Sequence, residues 1–152
     1  MIPINYYAVV VNAVLALAIG FAWYGPLFGK QWVELMGWSP ADMEAKLKES
    51  LGPKYAIQAL GALMMSFVLA HTIVFAATTL GTSGIAAGIE GALWNWAGFI
   101  VPATIGSVLW DGKPWKLWFL NAGYFLVVLI VMGIVLSVWI YNSPRRSNEA
   151  PR

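Results

Sequence analysis

The chain has 152 residues, 60% of them hydrophobic and 11% charged, where soluble domains carry about 25% charged residues. Nine Lys and Arg against seven Asp and Glu leave a net charge of +2, too small and too dispersed to hold nucleic acid. Cys is absent, which excludes disulfides, thiolate catalysis and Cys-ligated metal.

The charges are confined to a few places. Residues 1–29, 55–89, 91–110 and 117–144 contain no Asp, Glu, Lys or Arg, and each stretch reaches the roughly 18–20 residues that an α-helix needs to cross a hydrocarbon core of about 30 Å. The stretches are apolar all round, without the 3.6-residue alternation of a soluble bundle, and segments such as Leu129 to Leu136 lack the two-residue alternation of a membrane barrel. The expected fold class is therefore all-α integral membrane, a four-transmembrane-helix bundle over residues 1–141 in contact with the lipid bilayer.

Span one is predicted over residues 4–23. It lacks the basic start of a signal peptide and is read as a retained span. Asn5, Ala8, Asn12, Ala16 and Gly20 recur on it at steps of three or four, a small and polar stripe suited to close helix packing in lipid. Tyr24-Gly25-Pro26 ends it, and residues 27–54 form an amphipathic interfacial segment. Phe28, Trp32, Leu35 and Met36 have helical spacing there, closed by Gly37. Ser39-Pro40-Ala41-Asp42 then reads as a helix start, with Ser39 as N-cap, Pro40 where its missing N–H costs nothing, and Asp42 at the positive helix end. Glu44 and Lys48 form an i,i+4 pair, Met43, Leu47 and Leu51 make an apolar stripe that should lie on the membrane surface, and Gly52-Pro53 reads as the stop.

Span two follows over residues 55–80, and the short Gly81-Thr82-Ser83-Gly84 turn makes it an antiparallel hairpin with span three, residues 85–110. After the tight turn at Asp111 to Pro114, span four runs over residues 115–141, and the polar, Pro-containing tail 142–152 is expected to be disordered. Trp23, Trp32, Trp38, Trp110, Trp115 and Trp118 gather on one side as an aromatic belt. Loops one and three on that side hold Lys30, Lys46, Lys48, Lys54, Lys113 and Lys116, against Arg145, Arg146 and Arg152 on the other. The positive-inside rule then places both loops in the cytoplasm and both termini outside. Gly29-Lys30-Gln31-Trp32 is weakly echoed by Gly112-Lys113-Pro114-Trp115, which a two-plus-two duplication or chance explains equally.

An early Asn, Trp23-Tyr24 with Pro26, Phe28-Gly29-Lys30 with Trp32, Gly98-Phe99 with Pro102, Asn121-Ala122-Gly123-Tyr124 and Met132-Gly133 stand in an order that resembles the bacterial domain of unknown function 1761 family of small multi-pass membrane proteins. The resemblance covers about residues 2–140, and the Trp-Tyr-x-Pro and Asn-Ala-Gly-Tyr elements are its most specific parts. It implies a four-helix fold in a bacterial cytoplasmic (inner) membrane and no particular activity.

Ionisable groups at mid-membrane are costly and so are functional candidates by default. His71 and Glu90 flank the 81–84 turn, both about 10–14 Å from the same end of the hairpin, and Asn12 comes to about 12 Å from that side of span one. A polar site of Asn12, His71 and Glu90 is the sharpest candidate. It could exchange a proton or hold a cation, but it has too few ligands for a strong metal site. The bland alternative leaves Glu90 protonated or lipid-facing and His71 bonded to a backbone carbonyl. Asn95 lies on a packing stripe with Gly84, Gly88, Gly91, Gly98 and Pro102, and Pro102 should kink span three or free a carbonyl. Asn121 and Tyr124 are expected to pack the Trp23-Tyr24 corner. Gly81-x-x-Gly84-x-x-x-Gly88 is rejected as a dinucleotide-binding turn because both flanks are membrane spans.

No His-Glu-x-x-His or Gly-x-Ser-x-Gly motif occurs, there is a single His, and no cofactor is implied. The expected function is a structural or interaction component that self-associates, as a homo-oligomer, or joins a larger membrane complex. The alternative is a small oligomeric transporter or proton/ion conductor using His71 and Glu90.

Overall fold

A computed structural model describes residues 4–142. Among them every regular element is helical, and four helices are long and apolar enough to cross a membrane: Tyr6–Leu27, Gly52–Leu80, Gly84–Leu109 and Trp115–Trp139. The protein is thus an all-helical, multi-pass membrane protein.

Helix α1 (Tyr6–Ala22) starts where the Asn5 side chain accepts from the backbone N–H groups of Tyr7 and Ala8, relieving two of the donors that a helix start leaves unpaired. It continues into a π-helical turn, Trp23–Leu27. Pro26 brings no N–H to the ladder, Gly25 leaves helical geometry (φ −104°, ψ −105°), and the Phe28 N–H reaches five residues back to the Trp23 carbonyl at 2.9 Å. Helix α2 (Gly29–Met36) ends at Gly37, whose φ of 69° suits a residue without a Cβ. Helix α3 (Pro40–Leu47) carries a reciprocal cap, with the Ser39 hydroxyl accepting from the Asp42 N–H and the Asp42 carboxylate accepting from the Ser39 N–H. Lys48 and Glu44 pair at 2.8 Å.

Gly52 and Pro53 do not close α3, which ends at Leu47, but open α4 (Gly52–Leu80). The missing Pro53 N–H falls in the first turn, where no acceptor waits for it. Gly81 and Gly84, at φ 70° and 64°, reverse the chain. Span three is broken into α5 (Gly84–Asn95), a second π-helical turn (Trp96–Ile100), and the short helices α6 (Val101–Thr104) and α7 (Gly106–Leu109). Pro102 cannot donate back to Gly98, and the Val101 N–H instead reaches the Trp96 carbonyl. Helix α8 (Trp115–Asn142) completes the described chain. The expected tail thus begins inside α8 at Asn142, and residues 143–152 lie outside the described residues.

Helix α8 is central, packed against α1, α4 and α5, while α4 also touches α1 and α5. In lipid no hydrophobic effect draws helices together, so close fit and hydrogen bonds must do it. Ala8, Ala13 and Ala16 give α1 a small buried face, and Leu69, Ile73, Val128, Met132 and Leu136 fill the centre. The closest approach is between α5 and α8. A Cβ on Gly88 would collide with the Gly133 carbonyl and the Ser137 hydroxyl, and one on Gly133 with the Gly88 carbonyl. The two backbones touch directly, which only glycine permits.

Candidate functional site

Polar side chains gather at three places. The first is the middle of the bundle, where the buried face of α1 carries Asn12 with no exposed surface. Its Nδ2 donates to the Ser66 hydroxyl at 3.0 Å and to the Met132 carbonyl at 3.2 Å, so one side chain ties α1 to α4 and α8. Asn12 Oδ1 accepts from no group among the described residues. Ser66 is equally buried, and Ser137 returns its proton to the Gly133 carbonyl of its own helix. Ser66 was not among the residues expected at a site, and it stands on the stripe Ala62, Ser66, Leu69, Ala70 and Ile73 that forms the buried face of α4.

The second place is the outer surface of the α4–α5 hairpin. Leu69 and Ile73 lie against Gly91 of α5. His71 is two residues from each, about 200° around the helix, and so faces away from α5. It is half-buried, its Nδ1 lies 2.8 Å from the Phe67 carbonyl of its own helix, and its ring stands 4.3 Å from that of Phe67. A carbonyl can only accept, so Nδ1 carries the proton. Gly88 is the residue of α5 pressed on α8, and Glu90, again about 200° further round, is turned away from that contact and half-buried. Among the described residues neither His71 nor Glu90 takes part in an ion pair, and Glu90 has no hydrogen bond. The structure therefore brings Asn12 to Ser66 and Met132, places Ser66 about 7.5 Å before His71 on α4, further from the 81–84 turn, and gives His71 and Glu90 no bond to Asn12 or to each other. No group of three or more potential metal ligands forms among the described residues.

The third place is the end of the bundle where α1 meets the start of α8. The Trp23 indole N–H donates to the Leu120 carbonyl at 3.2 Å, the Tyr24 hydroxyl to Asn121 Oδ1 at 3.1 Å, the Tyr124 hydroxyl to the Ala16 carbonyl at 3.3 Å, and the Trp96 indole N–H to the Ala122 carbonyl at 2.8 Å. Each π-helical turn thus begins with a Trp that binds α8, on carbonyls either side of Asn121. Trp118, also absent from the site reading, donates to the Thr104 hydroxyl at 3.0 Å. An aromatic series continues outward from Tyr124 to Tyr24 (5.1 Å), Trp32 (5.4 Å) and Trp38 (4.8 Å), where Lys46 lies 4.6 Å above the last ring. Tyr24 separates two open clefts, one of about 490 Å³ towards Tyr55 and Gln58 and one of about 920 Å³ towards Trp110, Asp111 and Lys113.

Asn121 and Tyr124 were expected to pack the Trp23-Tyr24 corner, and Tyr24 bonds Asn121 there, whereas the bonds of Trp23, Trp96 and Tyr124 to backbone carbonyls were not anticipated. Residues 7–137 match a protein family of unknown function, DUF1761. The chain belongs to this family. No curated protein and no solved structure matches it, so the remaining candidates are judged on geometry. Asn95 donates to the Gly91 carbonyl at 2.8 Å and lines an apolar groove of about 310 Å³ with Met64, Val68 and Phe99. Pro102 is exposed just after the second π-helical turn. In this DUF1761 protein Asn121 Oδ1 holds the Tyr24 hydroxyl, and the Tyr124 hydroxyl is held by the Ala16 carbonyl of α1.

Proposed function

We propose that this DUF1761 protein is a non-catalytic component of a bacterial inner membrane that works by self-association, alone or within a larger complex, with loops one and three in the cytoplasm. The observation that carries this reading is the exposed surface of spans two and three, which is barest on span three. In the most apolar stretch of span three 6% of residues are buried within the chain, against 28%, 28% and 44% in spans one, two and four. That surface includes Gly61 of α4 and Gly98, where an added Cβ would meet nothing within 4 Å. A glycine inside a helix costs about 1 kcal/mol relative to Ala. Gly88 and Gly133 offset that cost with a backbone contact inside the chain, and a second chain would supply the same contact at Gly61 and Gly98.

The test is the mass of the protein in mild detergent and in lipid nanodiscs. A discrete oligomer that persists on dilution is the expected result, whereas a monomer at every concentration would end this reading. Proton or ion conduction through His71 and Glu90 is the second reading, supported by their positions at similar depth on neighbouring helices. It requires flux in proteoliposomes that Glu90→Gln abolishes.

A further inference from the structure

We propose that His71 of one copy of this chain pairs with Glu90 of the next, so that the two ionisable groups of the spans form one shared-proton bond across the oligomer interface. This deepens the self-association reading and rests on it. His71 lies nine residues before the end of α4 (80 − 71) and Glu90 six residues after the start of α5 (90 − 84), which is about 14 Å and 9 Å from the same end of the hairpin. A rotation axis along the membrane normal leaves depth unchanged, so any closed ring, from a dimer upward, can set the two side by side. Within one chain they cannot meet in this arrangement, because His71 points away from α5 and Glu90 has no partner among the described residues.

The chemistry of the two groups is complementary. Nδ1 of His71 is committed as donor to the Phe67 carbonyl, which leaves Nε2 free to accept a proton from the carboxylic acid form of Glu90 or to donate one to its carboxylate. In either state one proton lies between Glu90 Oε and His71 Nε2, and the pair carries no net charge. Lipid offers neither group such a partner, and an uncompensated charge at this depth is strongly disfavoured. The faces differ, the outer side of α4 meeting the flank of α5, so the pair forms once at each interface of a head-to-tail ring or twice, reciprocally, across a two-fold dimer.

The absence of Cys makes the test direct. Full-length copies carrying His71→Cys and copies carrying Glu90→Cys, with different tags, are co-expressed and treated in membranes with a short bis-maleimide. Cross-links between the two tags at least tenfold above those between like copies are expected. In nanodiscs, Glu90→Gln and His71→Phe should each raise the dissociation constant of the oligomer by about tenfold or more, which is about 1.4 kcal/mol, and the exchanged double variant, His71→Glu with Glu90→His, should recover most of that loss. Thermal unfolding of each variant as a monomer separates lost assembly from lost folding. A wild-type oligomer without 71-to-90 cross-links, or one unmoved by both single variants, overturns the pairing and leaves self-association standing. A wild type that stays monomeric overturns both.

Discussion

Asn12 is completely buried, and its two donor hydrogens are both used while its oxygen is not. Hydrogen bonds between membrane helices average about 0.6 kcal/mol and reach about 1.7 kcal/mol, so Asn12→Ala, which loses two bonds and leaves a small cavity, should cost roughly 1–2 kcal/mol, and Ser66→Ala, which loses one, less than about 1 kcal/mol. Denaturant titration in mild detergent measures both, and equal effects would mean that the Met132 bond contributes nothing. Glycine gives a sharper contrast. At Gly88 an added methyl would strike the Gly133 backbone, which cannot rotate aside, while at Gly98 it meets open space. Gly88→Ala should therefore cost about 3 kcal/mol or more, or prevent accumulation of folded protein, by overpacking an inflexible contact. Gly98→Ala should leave the stability of the monomer unchanged or raised by about 0.4–1 kcal/mol.

At the scale of elements, the two π-helical turns do the same work in different spans. Each follows from a Pro that removes a backbone donor, Pro26 or Pro102, and each starts with a Trp whose indole binds α8. The extra residue in the turn rotates everything beyond it by about 100° relative to a regular helix, which sets the direction of the segment that follows each Trp, α2 in one case and α6 in the other. Pro102→Ala restores an N–H for the Gly98 carbonyl, so span three should become more regular, with hydrogen exchange slowing at the amides of residues 100–104. Unchanged exchange there would show that packing on α8, not the missing donor, holds the turn. Helix α3 is governed by local chemistry. The Ser39 hydroxyl and backbone N–H hold the Asp42 carboxyl below its ordinary pKa of 3.8. A depressed acid contributes stability that is complete above the unfolded value and is lost as pH falls through the folded value. Protection of the α3 amides should thus be constant from neutral pH down to about 5 and fall away below about 4, and Ser39→Ala should reduce it at every pH, by about 1 kcal/mol.

The whole molecule has one asymmetric axis, with the aromatic corner, α2 and α3 at one end and the 81–84 turn at the other. The proposed orientation rests on where the lysines sit, and labelling tests it. With a membrane-impermeant maleimide on intact cells, Ser83→Cys should react and Ser50→Cys should not, and the reverse pattern would overturn the assignment of loops one and three to the cytoplasm.

Four spans, the α3 cap and the reversal at Gly81 were legible in the residues alone, and the matching depth of Asn121, Tyr124 and the Trp23-Tyr24 corner pointed to packing there without naming the bonds. Charge-free runs, caps and turn glycines act through local composition and covalent geometry, which need no knowledge of the neighbours. Residue counting, at 1.5 Å per residue, set His71 and Glu90 near one depth but put Asn12 too close to them, since Asn12 bonds Ser66, five residues deeper on α4 than His71. What counting cannot supply is the angle about each helix axis, since spans that are apolar all round have no hydrophobic face to orient them. The small and polar stripe of span one already pointed Asn12 inward, but only the packing of α8 against its three neighbours gave it Ser66 and Met132 as partners and turned His71 and Glu90 outward. The opening of α4 at Gly52 and the two π-helical turns were settled the same way, by which backbone groups found partners once the helices were side by side.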